Sequence, residues 1–186
     1  MQSDTWLLFL LTSIGMSLSP GPNGLLAMTH GAMHGSQKAI FTILGGLLGF
    51  TVIMGLCMFG IGALVESSVL WLIGLKWLGG AYLVFLGIKL WREEPIAFNL
   101  KTTTTNHNRF LLFRQGFLCA ITNPKGLLFF SALLPQFIDP SQNLFLQFAL
   151  MASTYAAVEF ITEYALARAA NSIRGWLIKI GRKFNY

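Results

Sequence analysis

Between Lys38 and Glu66 the chain runs through residues 39–65 without a single charged side chain. A helix of about 20 apolar residues crosses the ~30 Å hydrocarbon core of a bilayer, so this run predicts a transmembrane helix. Four more stretches reach that length: residues 5–28, 68–91, 110–135 and 143–168. Span three holds one internal charge, Lys76, and span five carries Glu159 and Glu163. Composition agrees: 54% of residues are hydrophobic and 11% charged, where a soluble domain carries about 25% charged residues. The sequence therefore predicts an all-α integral membrane protein with five transmembrane helices in one domain, residues 1–186. The N-terminus carries Asp4, has no basic segment and stays apolar too long for a cleavable signal.

The connections set the orientation. Glu66 and Asp139 mark two links without Lys or Arg, whereas the link between spans three and four and its flanks hold Lys89, Arg92, Lys101, Arg109 and Arg114. Lys38 lies in the short first link, and Arg174, Lys179, Arg182 and Lys183 follow span five. Basic loops stay in the cytoplasm, which puts the N-terminus outside and the C-terminal tail inside. This sorting explains the net charge of +6 better than nucleic acid does, and no nucleic-acid partner is expected. Residues 92–109 read as a solvated cytoplasmic linker. In the tail, 169–186, Ile173, Trp176, Leu177, Ile180 and Phe184 recur at helical spacing, which suits an interfacial helix. A basic connector is the competing reading.

Spans one and four are both broken at proline. Pro22-Asn23-Gly24-Leu25-Leu26 matches Pro124-Lys125-Gly126-Leu127-Leu128 at four of five positions. Three spans separate the copies, so the second unit is inverted relative to the first. The expectation is a 3+3 inverted repeat, with half one at 1–91 and half two at 110–168, whose sixth helix is missing. Proline-interrupted spans at corresponding places in two inverted halves point to a transport site. Proline removes a backbone donor, and unpaired backbone within a membrane must line protein or a wet cavity. A helix restarting at Pro22 or Pro124 directs free N–H groups and its positive dipole end there, which suits a carboxylate.

S-P-G-P-N at 19–23, L-K-W-L-G-G-A-Y-L at 75–83 and N-P-K-G at 123–126 resemble the LysE/RhtB family of amino-acid exporters, in order and over essentially the whole chain. The resemblance implies efflux of amino acids or close derivatives across the bacterial cytoplasmic membrane, driven by proton exchange. It also implies that Pro20, Gly21, Pro22 and Asn23, with Asn123, Pro124 and Lys125, occupy the family's motif positions and bind substrate. Family members resemble six-helix proteins.

Among the single residues, Lys125 stands mid-span, where a charge costs about 2.5–3.5 kcal/mol on insertion scales and needs a partner. A lysine for the substrate carboxylate competes with a structural ion pair to Glu159 or Glu163. Those two glutamates share a helix face, and adjacent carboxylates in low dielectric suit proton coupling or a substrate ammonium. The competing reading leaves Glu163 solvated beside Arg168. Lys76 reads as a snorkelling lysine. His30 and His34 read as solvated residues at the exit of span one rather than a proton relay, and nothing nearby completes a metal site. Gly45 and Gly49, like Gly31 and Gly35, form G-x-x-x-G patterns for close helix packing; a homodimer face is the alternative.

No nucleotide loop, nucleophile elbow or metal spacing occurs, so neither an enzyme nor a cofactor is expected. The expected partners are an amino acid and the lipid bilayer. Two other functions compete: a membrane thiol–electron carrier using Cys57 and Cys119, and a truncated or accessory subunit that transports nothing. Cys119 lies near the second break, but its repeat counterpart at the same offset is Ser17.

Overall fold

Both interruptions become helix boundaries in a computed structural model of the protein, which describes residues 3–19, 21–67 and 108–183. Six helices occur among these residues: α1 (Ser3–Leu18), α2 (Pro22–His34), α3 (Ser36–Ser67), α4 (Arg109–Ile121), α5 (Pro124–Phe137) and α6 (Leu144–Lys183). No strand occurs among them. Pro20, the third span with Lys76 and its motif, and the linker up to residue 107 lie outside the described residues.

The two breaks are built alike. Pro22 and Pro124 each take the first helical position, where a missing N–H costs nothing and the fixed φ suits a helix. The first backbone bonds correspond too: Leu25 N donates to Gly21 O at 3.0 Å, and Leu127 N to Asn123 O at 3.1 Å. Helices α4 and α5 meet at a 50° bend.

Among the described residues two stretches are long and apolar enough to cross a membrane, Ser36–Gly60 and Leu144–Arg174, and the bent α4–α5 pair makes a third if counted as one span. The expected first span divides into the short apolar α1 and into α2. The boundary expected at residue 168 is not a structural one, because α6 runs unbroken to Lys183, about 60 Å at 1.5 Å per residue.

Packing differs on the two sides of the breaks. Around α1, α5 and the start of α6 lies an aromatic core that includes Phe9, Phe50, Phe129, Phe130, Phe137 and Tyr155. Its rings meet edge to face, Phe130 and Tyr155 at 5.0 Å between centroids. Trp6 also ties α1 to α6, its Nε1–H donating to Thr154 Oγ1 at 3.1 Å.

Around α2 and α4 glycine takes over. A Cβ on Gly45 would stand 1.9 Å from Phe113 O, and one on Gly116 1.9 Å from Thr42 O. Backbones this close require the absence of a side chain, so Gly45 and Gly49 serve packing within the protomer, α3 against α4. Gly31 does the same for α2 against Ala167 of α6. Its expected companion Gly35 instead forms the one-residue turn into α3, with φ of 88°, a conformation that favours glycine.

The histidines differ from expectation. Helix α2 continues past residue 28 to His34 and carries His30 inward. His30 is 7% exposed, with its Nδ1 2.6 Å from Thr42 Oγ1. At the end of α2, Arg174 of α6 donates to the carbonyls of Ala32, at 2.6 Å, and Met33, at 3.2 Å. A cation at a helix C-terminus satisfies orphan carbonyls and complements the dipole.

Candidate substrate site at the two helix breaks

The ends of α1 and α4 and the starts of α2 and α5 converge on one small cavity. It is lined by Met16, Gly21, Asn23, Gly24, Phe50, Asn123, Lys125, Gly126, Tyr155 and Glu159. Its free space of about 10 Å³ holds about one water. The cavity is therefore closed around its own side chains, and an amino acid requires the walls to part.

Each lining group has a structural reason to be there. Asn123 is spent as a cap: its Oδ1 accepts from Lys125 N at 3.0 Å, satisfying one free donor of α5. Gly21 caps α2 without a side chain, and a Cβ there would stand 3.1 Å from Lys125 Cδ. The bare cap leaves room for the lysine stem. Pro22 and Pro124 are exposed and set the helix starts rather than the lining.

Lys125 reaches across from α5 to α1. Its ammonium donates to Met16 O at 3.0 Å and to Ser19 O. These carbonyls close the C-terminal end of α1, where acceptors lack helical partners and the dipole is negative. The competing ion pair with a glutamate is not the contact that forms, although Glu159 and Glu163 both act on Lys125 electrostatically. Glu159 is 8% exposed and accepts from the hydroxyl of Ser17, and Tyr155 lines the cavity beside it.

Among the described residues, Asn23 and Glu163 are buried side chains with every polar atom unpaired. Asn23 is 2% exposed, and neither its amide nitrogen nor its amide oxygen is paired. It packs over Gly46, where a Cβ would stand 2.1 Å from Nδ2. Glu163 is also 2% exposed, with both oxygens unpaired. It stands one turn beyond Glu159 on the buried face of α6, so it is not solvated beside Arg168. Leaving a buried polar group unpaired costs about 1–3 kcal/mol. Most buried polar groups in folded proteins are paired, so these two call for a specific reason.

Of the residues singled out from the sequence, Gly21, Asn23, Asn123, Lys125 and Glu159 line one cavity. Cys57 packs on the aromatic core and Cys119 lies on α4; both are free thiols and neither lines the cavity. The sequence reading missed Ser17, Tyr155 and the carbonyls at the end of α1. Tyr155 was signalled by its place one turn before Glu159, and Ser17 by its repeat offset from Cys119.

Comparison with known proteins agrees with this architecture. A family model described as LysE type translocator matches residues 14–181. A homoserine/homoserine lactone efflux protein of Salmonella typhimurium is 36% identical over 95% of this chain and 85% of its own length. An uncharacterized membrane protein of Vibrio cholerae is 36% identical over 91% of this chain and 82% of its own. A leucine efflux protein of Enterobacter is 29% identical over 77% of this chain and 69% of its own. No solved structure matches. A family match over nearly the whole chain, on a helical frame with membrane-length apolar helices, makes this chain a member of the LysE type translocator family.

Proposed function

We propose that this protein is a secondary transporter that exports amino acids or close derivatives from the bacterial cytoplasm in exchange for protons. The observation that carries the reading is the cavity at the two proline breaks. It joins a half-buried lysine, a buried carboxylate and an unpartnered amide between two helix N-termini. Within a bilayer such groups need protein or a wet cavity around them, and ionisable residues there mark substrate or ion pathways.

The roles follow from charge. Free N–H groups at the starts of α2 and α5, with Lys125, attract the substrate carboxylate. Asn23 supplies one donor group and one acceptor for a further polar atom of the substrate. Glu159 and Glu163 carry the exchanged proton: two carboxylates one helical turn apart in a dry interior disfavour both being ionised. Relatives named for efflux of homoserine, its lactone and leucine support small amino acids as the substrate class. The basic loops support an outside N-terminus.

The test is amino-acid release from bacteria fed dipeptides while expressing this chain, beside Lys125→Ala at matched membrane abundance. The expected result is selective release, reduced at least tenfold in the variant, which corresponds to about 1.4 kcal/mol of lost interaction. Equal release from both removes Lys125 from the site. No release from either, with normal insertion, removes the exporter reading.

A further inference from the structure

The ammonium of Lys125 rests in a nest of oxygen atoms. Met16 O and Ser19 O accept from it, and both belong to the end of α1. Between them in sequence, Ser17 donates to Glu159, so a carboxylate is held beside the same helix end. Carbonyls at a helix C-terminus together with a carboxylate form the complement of a primary ammonium, which carries three donors and no acceptor. The position is half-buried between the end of α1 and the start of α5, with Glu159 of α6 beside it, and the lysine reaches it from α5.

An amino acid brings an ammonium of the same chemistry, and the neighbouring helix starts present N–H donors rather than acceptors. Within this cavity the end of α1 is therefore the place for the substrate's amino group. We propose that this oxygen nest is the ammonium seat of the transport site, and that Lys125 fills it when no substrate is bound. On binding, the substrate's ammonium displaces Nζ from Met16 O and Ser19 O, and the freed lysine turns to the substrate's carboxylate. The exchange keeps one cation on the end of α1 throughout, so Glu159 and the α1 carbonyls never face the membrane interior without a positive partner. It also explains how a nearly filled cavity admits a ligand, since the side chain that closes it is the one that is displaced. This assignment rests on the exporter reading and specifies which end of the substrate binds where.

Two measurements test the seat. In the unmodified protein in detergent, a simple primary amine such as propylamine competes with amino-acid binding, whereas its N,N,N-trimethylated counterpart does not. Lys125→Ala vacates the seat, so the purified variant binds methylammonium at least tenfold more tightly than the unmodified protein does. Glu159→Gln in that background reverses the gain. The seat is overturned by equal competition from the primary and quaternary amines, or by none from either. It is likewise overturned if folded Lys125→Ala gains no affinity for methylammonium. Should Lys125→Ala fail to fold, the competition in the unmodified protein decides alone. Amino-acid binding without amine competition would sink the seat and leave the exporter standing; absence of amino-acid binding would sink the exporter itself.

Discussion

Asn23 shows how far single residues were legible. The sequence placed it at a helix break, at the position that Lys125 holds in the second copy, and grouped it with Asn123 as a motif residue of the same expected role. The structure does: Asn123 spends its oxygen on the α5 cap, while both amide atoms of Asn23 stay unpaired. Capping is a local property, but an unpaired amide exists only when α2, α3 and α6 close around it. Asn23→Leu keeps the branching but is bulkier. It removes the unpaired group, a gain of about 1 kcal/mol, and Gly46 beneath it leaves the space for the larger methyls, so the empty protein should be at least as stable. The same variant should lose export. Thermal unfolding in detergent together with release assays checks both; a variant that is at least as stable and still exports at the normal rate would remove Asn23 from the site. His30 gives the opposite lesson: its helix runs past the expected exit of the span, so a residue that reads as solvated is buried against Thr42.

At the scale of elements the breaks were fully legible, because proline and asparagine at a helix start act through their own backbone. Which helices the glycines bring together was not, since a G-x-x-x-G pattern names one face of a pair. The structure pairs α3 with α4 and gives a graded prediction. Gly116→Ala puts a Cβ 1.9 Å from the Thr42 carbonyl and forces two backbones apart, costing about 1–3 kcal/mol or more. Gly15→Ala, on the exposed face of α1 with nothing within 4 Å, should stabilise by about 0.5–1 kcal/mol through helix propensity. Melting temperatures of the two variants should move in opposite directions. The α5–α6 connection has its own fastening. Gln147 accepts from Asp139 N and donates to Asp139 O, each at 2.9 Å. The Ser141 hydroxyl, at 2.6 Å, and backbone N–H, at 3.0 Å, donate to the Asp139 carboxylate. These bonds hold its pKa below the usual aspartate range. The lowered value means the turn is fully fastened above about pH 4 and loosens as acid protonates Asp139. Ser141→Ala should raise the Asp139 pKa, read by NMR titration of that carboxyl.

Across the whole molecule, the apolar runs and the sorted charges gave the class of protein, since a bilayer imposes both on any chain it holds. They did not show that the protein is fastened by rings on one side of the breaks and by glycine on the other, which depends on helices distant in sequence. The proposed proton exchange belongs to this scale because the carboxylates lie between the two kinds of packing. Glu159→Gln should pass substrate down its own gradient at weakened apparent affinity, and lose the response of export to an imposed pH gradient. Reconstituted vesicles with and without that gradient measure the difference, and an unchanged response would assign the coupling elsewhere.

Helix α6 touches both pieces of the broken first span. Thr154 holds α1 through Trp6, and Arg174 holds the far end of α2. The two attachments are twenty residues apart, about 30 Å along the axis, with Glu159 between them. A helix gripped in this way is a lever with a load at each end: were α6 to tilt about the carboxylate, α1 and α2 would be carried in opposite directions and the gap between them would change without any turn unwinding.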